Sequence, residues 1–284
     1  MSELPFAEVI GDPIAQSKSP MIHKFWLEQA GIKADYRASH VKPEDLASFF
    51  EERRRNPSWR GCNVTIPHKR AVMALLDRID PAAERIGAVN TVVPEDGKLT
   101  GYNTDYSGFL EPLQPLLRQT HLFRMARIIG AGGAAKAVAL ALHDHGFTNV
   151  IIARNLDQAR ALRESFEPDD RLVAPLDLFA TPTDFPFDDR EGLLDLVVNT
   201  TSLGMTGQPP LLLDFTHVPP NAVVYDIVYA PLETPLLAEA RARGLRAIDG
   251  LHMLIGQAAA AFERFFGVPA PRGRDAELRA KLTG

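Results

Sequence analysis

The sequence predicts an α/β fold in two domains, and three observations carry that expectation. Apolar runs of β type alternate with helix-forming stretches along most of the chain, the pattern of a mainly parallel sheet flanked by helices. The glycine turn Gly130-Ala-Gly-Gly-Ala134 joins one such run to a helix. The 284 residues are enough for two domains of ordinary size, each burying its own core.

In order, residues 6–10 read as a first strand, followed by the loop Gly11-Asp-Pro-Ile-Ala-Gln-Ser-Lys-Ser-Pro20. Ser19-Pro20 has the form of an N-cap with proline at the first helical position, opening a helix to about residue 30. Ser17 and Ser19, at the carboxyl end of a strand, offer hydroxyls to a polyol or carboxylate; plain capping also accounts for Ser19. Residues 34–41 form a second strand, 43–55 a charged amphipathic helix and 61–66 a third strand. Pro67 reads as the start of another helix, leaving Asn63, Thr65 and Lys69 at a strand end, where α/β sheets bind ligands. Residues 88–93 and 99–103 flank Pro94-Glu-Asp-Gly-Lys98 and read as a hairpin, so the first sheet is mixed. Its second arm runs into Asn103-Thr104-Asp105 and a helix toward Leu117.

From residue 127 the alternation resumes. Strands are expected near 127–130, 149–153, 171–174, 194–199, 222–227 and 245–248, and helices near 134–144, 156–165 and 233–243. Residues 176–192, rich in Pro, Asp and Phe, read as a loop. An apolar helix over 251–266 holds one odd polar residue, Gln257, and a last helix covers 276–282. By position the glycine turn is Gly130-x-Gly132-x-x-Ala135, the dinucleotide form ending in alanine, which predicts a Rossmann-type domain. The bland rival is a strand-to-helix turn without a ligand. The next strand ends in Arg154-Asn155, where an NAD site normally places Asp or Glu. A guanidinium there suits a 2′-phosphate, which predicts NADP, and Asp157 keeps NAD open.

The net charge of −5 argues against a sequence-independent nucleic-acid partner, which needs a basic surface. No apolar run approaches the ~20 residues of a membrane span, and Met-Ser-Glu-Leu-Pro has no leader pattern, so a cytoplasmic protein is expected. The single cysteine, Cys62, cannot form an internal disulfide and reads as a small buried hydrophobe. His68 follows a different helical direction from Lys69 and takes a structural reading. His143 and His145, two apart on a helix, diverge, and no metal is expected.

With these residues in place the chain resembles the bacterial shikimate dehydrogenases over nearly its whole length. The resemblance rests on the Gly11–Pro20 loop quoted above, Asn63-Val-Thr-Ile-Pro-His-Lys69, Gly87-Ala-Val-Asn-Thr91, Asn103-Thr-Asp105, the glycine turn, Asn199-Thr-Thr-Ser202, and Gly250 with Gln257. It implies NADPH-dependent reduction of 3-dehydroshikimate to shikimate, a step toward chorismate and the aromatic amino acids. It assigns Lys69 and Asp105 as the catalytic pair. Ser17, Ser19, Thr65, Asn90, Asp105, Tyr229 and Gln257 would bind substrate. Gly130, Ala131, Gly132, Gly133, Ala134, Arg154 and Asn155 would bind cofactor, with Ile227 and Gly250 lining the nicotinamide. It also implies a substrate domain over 1–105, a Rossmann NADP domain over 106–250, and helices of 251–284 returning to the first, in a monomer or homodimer. One departure stands out: a second arginine is frequent in the family where this chain has Gln158. Alternatives left open are a quinate/shikimate or aminoshikimate dehydrogenase using NAD, a methylene-tetrahydrofolate dehydrogenase, and a non-catalytic NADP sensor.

Overall fold

The computed structural model describes residues 3–165, 172–187 and 190–283. They form two compact units, Met1–Gly108 with Ile255–Gly284, and Phe109–Leu254. The first part of the chain contains β1 (Phe6–Gly11), α1 (Ser19–Ala30), β2 (Asp35–His40), α2 (Leu46–Arg54), β3 (Trp59–Val64), β4 (Arg78–Ile79), α3 (Pro81–Ile86), β5 (Thr91–Glu95), β6 (Lys98–Tyr102) and α4 (Asp105–Leu110). It continues through α5 (Gln114–Leu117), β7 (Phe123–Ile129), α6 (Gly133–Asp144), β8 (Thr148–Ala153), α7 (Leu156–Glu164), β9 (Val173–Pro175), β10 (Leu193–Asn199) and β11 (Val223–Asp226). It closes with α8 (Pro235–Ala242), β12 (Arg246–Ile248), α9 (Gly250–Phe266) and α10 (Asp275–Thr283).

The sheet of the first unit is mixed, in the order β2-β1-β3-β5-β6-β4. β1 is parallel to β2 and β3, β5 is antiparallel to β3 and β6, and β4 is parallel to β6. This pairing gathers the site residues. The parallel strands β1 and β3 end at the edge where β5 begins and β6 ends, so Ser17, Thr65, Asn90 and Asp105 all leave the sheet on one side. Below that edge Phe6, Ile10, Phe50, Trp59, Val64 and Val92 fill the core, each worth about 1.5–3 kcal/mol on full burial.

The second sheet is parallel throughout, in the order β12-β11-β10-β7-β8-β9. Counted within the unit, that is the doubly wound order of dinucleotide-binding domains, with its switch point between β7 and β10. α6 lies against it so closely that Ala135, Ala137, Val138, Ala139, Leu140, Ala141 and Leu142 are all fully buried, which short side chains permit.

Local structure departs from the sequence reading in several places, the short strand β4 among them. Pro67 starts no helix: the His68 N–H returns to the Thr65 carbonyl at 2.9 Å, the Lys69 carbonyl accepts the Val89 N–H at 2.8 Å, and a 3-10 stretch follows only at Ala71–Leu75. The helix expected from Asp105 to Leu117 stops at Leu110, because Pro112 and Pro115 have no N–H to continue it. Ser19 is the first helical residue and no cap; its N–H is taken by Ser17 Oγ at 3.3 Å, while Lys18 at the cap position makes no side-chain bond. α3 was missed, although its signals are plain: Asp80 accepts the Ala82 N–H at 3.0 Å, Pro81 opens the helix and Gly87 closes it at φ +68. The stretch read as loop carries a 3-10 turn at Leu176–Ala180. Residues 171, 188 and 189, which fall in an expected strand and this loop, lie outside the described residues.

Candidate functional site

Lys69 leaves the turn after β3 and Asp105 heads α4. The Lys69 ammonium donates to Asp105 Oδ2 at 2.6 Å, with the two side chains 32% and 15% exposed. Asp105 is fixed from behind: its N–H donates to Asn103 Oδ1 at 3.0 Å, and Asn103 Nδ2 donates to the Ala88 carbonyl at 3.0 Å. A lysine so held keeps further N–H donors for a ligand oxygen.

Beside this pair runs a buried polar chain. The Tyr36 hydroxyl donates to Asn63 Oδ1 at 2.6 Å, Asn63 Nδ2 to Thr91 Oγ1 at 3.0 Å, and Thr91 Oγ1 to Asn90 Oδ1 at 3.0 Å. The Thr104 N–H meets the same Asn90 oxygen at 2.8 Å, and Thr104 Oγ1 reaches Gln257 Oε1 at 3.5 Å. Burial pushes the Tyr36 phenol well above its ordinary pKa, so it stays a neutral donor. Thr65 sits at the end of β3, its N–H on the Ile10 carbonyl at 2.9 Å. The first unit therefore brings together Lys69, Asp105, Asn90 and Gln257, with half-buried Ser17 and Thr65 on loops of the same sheet edge and half-buried Ser19 at the start of α1.

In the second unit, Gly130 follows β7 at φ +115, and a Cβ there would stand 2.5 Å from Thr200 Oγ1 at the end of β10. Only glycine fits that turn. A Cβ on Gly132 or Gly133 meets nothing within 4 Å, so open space lies over the first turn of α6, whose amides have no acceptor within the helix. Arg154, just after β8, is exposed and makes no hydrogen bond or ion pair with a described residue. Glycine cradle, helix N-terminus and free guanidinium fit a pyrophosphate and a 2′-phosphate. Asn155 is partly committed elsewhere: its Oδ1 accepts the Gln158 N–H at 3.1 Å and caps α7.

Ile227 and Gly250 lie backbone to backbone, since a Cβ on Gly250 would come within 2.3 Å of the Ile227 carbonyl oxygen. Tyr229, also of this unit, is 38% exposed. Sequence reasoning missed what holds this segment. Asp226 is fully buried and accepts from Asn199 Nδ2 at 2.9 Å, the Val228 N–H at 3.0 Å and Thr234 Oγ1 at 2.7 Å. Burial pushes its carboxyl above the ordinary value, against those three bonds. The signal was a carboxylate ending an apolar strand. Cys62 is buried, and His68 Nε2 donates to the Val41 carbonyl at 2.7 Å, both structural placements. His145 Nδ1 donates to the Ala141 carbonyl at 2.8 Å. Among the described residues no group of His, Cys, Asp or Glu could hold a metal, and no helix is long and apolar enough to cross a membrane.

A doubly wound domain with an open glycine cradle, in one chain with a unit that pairs a lysine with an aspartate among buried amides, defines a dinucleotide-dependent oxidoreductase of two-domain α/β type. The comparisons give its family. Residues 9–92 match the shikimate dehydrogenase substrate binding domain, and residues 250–276 the shikimate 5'-dehydrogenase C-terminal domain. The chain is 52% identical over 280 residues to the shikimate dehydrogenase (NADP(+)) of Sphingopyxis alaskensis, covering 98% of this chain and 97% of that one. The shikimate 5-dehydrogenase of Thermus thermophilus, solved in complex with NADP(H) and shikimate, is similar with a TM-score of 0.80 at 36% identity, over 98% of this chain and 99% of that one. A quinate dehydrogenase from Corynebacterium glutamicum, solved with NAD, has a TM-score of 0.81 at 31% identity, over 98% and 99%. The chain belongs to the shikimate dehydrogenase family.

Proposed function

We propose that the protein is an NADP-dependent shikimate dehydrogenase that reversibly reduces 3-dehydroshikimate to shikimate on the way to chorismate and the aromatic amino acids. The observation that carries this reading is the Lys69–Asp105 pair at 2.6 Å, set beside the Asn90 amide and Gln257. NADPH, when bound, supplies the hydride. Lys69 hydrogen-bonds the carbonyl oxygen, polarises it and delivers the proton as that oxygen becomes a hydroxyl. Asp105 holds the ammonium in place. Ser17 and Ser19 take the substrate carboxylate, and Thr65, Asn90, Tyr229 and Gln257 take other substrate groups. Gly130, Ala131, Gly132, Gly133 and Ala134 hold the pyrophosphate, Arg154 and the remaining amide of Asn155 the 2′-phosphate side, and Ile227 with Gly250 the nicotinamide. The enzyme works on this small molecule in the cytoplasm, as a monomer or homodimer.

A second reading, a quinate/shikimate dehydrogenase using NAD, is favoured by one observation: a single arginine follows β8, and Gln158 stands in the first turn of α7. One assay separates the two. Absorbance of the reduced nicotinamide is followed with shikimate and quinate, each with NADP⁺ and NAD⁺. Fastest turnover with shikimate and NADP⁺ supports the first reading, and preference for quinate with NAD⁺ the second. Tight NADPH binding without turnover on either acid would sink both.

A further inference from the structure

The hydrogen bonds around Asn90 run one way, and two backbone groups set their direction. Asn63 Nδ2 lies 3.3 Å from the Asn90 carbonyl oxygen, and a carbonyl only accepts, so this atom is the NH2 end of Asn63. Its Oδ1 therefore faces Tyr36, which must donate, at 2.6 Å. Thr91 Oγ1 already accepts from Asn63, so its own proton turns to Asn90 Oδ1 at 3.0 Å. The Thr104 N–H, a donor only, meets that oxygen at 2.8 Å, with Thr104 Oγ1 at 3.2 Å. Asn90 Oδ1 is thus filled, while Asn90 Nδ2 has no partner among the described residues and is not one of their sealed polar atoms, in a residue only 3% exposed. Its N–H donors therefore open on what little access the residue keeps, where a ligand acceptor can take them.

We propose that Thr91 and Asn63 are positioning residues that hold the Asn90 amide with its NH2 toward the substrate, so that the site reads a hydrogen-bond acceptor at that point. Thr91 and Asn63 are 0% and 6% exposed and act through Asn90. The proposal rests on the reading that Asn90 touches the substrate.

Steady-state kinetics of the full chain test it. Thr91→Val keeps the shape and removes the hydroxyl; KM for shikimate should rise roughly 5- to 20-fold, kcat should change by less than about 3-fold, and KM for NADP⁺ should stay put. Thr91→Ser should restore the shikimate KM to within about 3-fold. The deoxy analogue lacking the hydroxyl that Asn90 faces should lose nothing more in Thr91→Val, while the other deoxy analogues lose the whole factor. Equal weakening of every analogue, or an unchanged shikimate KM, overturns the proposal. If Thr91→Val does not fold, the wild-type enzyme decides. Among analogues with an ammonium group, donor only, in place of one hydroxyl, one should bind at least ~30-fold more weakly than shikimate, and Asn90→Asp should narrow that gap. Tolerance of ammonium at every position overturns it. Asn90→Ala with an unchanged shikimate KM would instead sink the reading that Asn90 touches the substrate.

Discussion

The Lys69 ammonium and the Asp105 carboxylate, from the turn after one strand and the head of a helix, meet at 2.6 Å while both keep an exposed face. Replacing Lys69 by alanine should lower kcat by on the order of 10²–10⁴ and leave shikimate binding largely intact, as loss of an acid/base group does. Pre-steady-state binding and turnover check this. A variant with normal kcat and a raised KM would make Lys69 a binding residue.

Ser17, on the loop after β1, and Ser19, the first residue of α1, are joined by the Ser19 N–H on Ser17 Oγ at 3.3 Å. Changing both to alanine should weaken shikimate by ~1–3 kcal/mol more than an analogue without the carboxylate. Equal losses for the two ligands, measured by calorimetry, would mean that the loop has merely lost its shape.

Arg154 stands exposed after β8, with Gln158 in the first turn of the next helix. One partly exposed arginine–phosphate contact is worth roughly 1.5–3 kcal/mol, so NADP should exceed NAD by on the order of ten- to a hundredfold in kcat/KM. Gln158→Arg should widen the ratio and Arg154→Asp should invert it. A ratio indifferent to Arg154→Asp would place the 2′-phosphate elsewhere.

His23 gives a pH prediction. It is fully buried, stacked on Tyr36 at 4.0 Å with Trp26, Phe262 and Phe265 around it, and neither ring nitrogen has a partner among the described residues. Burial lowers its pKa from 6.5 to about 3. The folded protein keeps this imidazole neutral while the unfolded chain takes up a proton below the unfolded pKa. Its contribution is therefore lost as pH falls from 6.5 toward about 3, by about 1.4 kcal/mol per unit. Urea unfolding at pH 7.5 and pH 5 should show roughly 2 kcal/mol less acid loss in His23→Phe than in the wild type. Parallel curves for the two proteins would refute it.

What was legible in the sequence was whatever is written locally. Glycine, proline and alternating apolar residues marked nearly every strand, and the Gly130 turn located the switch point, because each is a property of a few consecutive residues. Lys69 stands at a strand end in the sequence, and Asp105 and Asn90 take their roles from the family resemblance, yet the meeting of the three depends on β5 running antiparallel to β3, which no window of sequence states. Asn63 was noticed as a strand-end residue, but its partners Tyr36 and Thr91 lie 27 and 28 positions away. Pro67 misled for a similar reason: proline opens helices and turns alike, and the bond from Val89 to the Lys69 carbonyl decided between them. Asp226 shows in the sequence only as a carboxylate ending an apolar strand, and His23 not at all, because burial, which gives each its character, is a tertiary fact.

The division of the chain, with Ile255–Gly284 belonging to the same compact unit as Met1–Gly108, also bears on how the protein is made. Domains generally fold as units, the first one synthesised going first. Here the order is inverted. The unit that starts the chain lacks Phe262 and Phe265, which stand against His23, until the final stretch has left the ribosome. The intervening unit, Phe109–Leu254, is complete before that. A nascent chain that has emerged as far as Leu254 would carry a finished nucleotide-binding half and an N-terminal half still waiting for residues 255–284, the form in which chaperones would meet it.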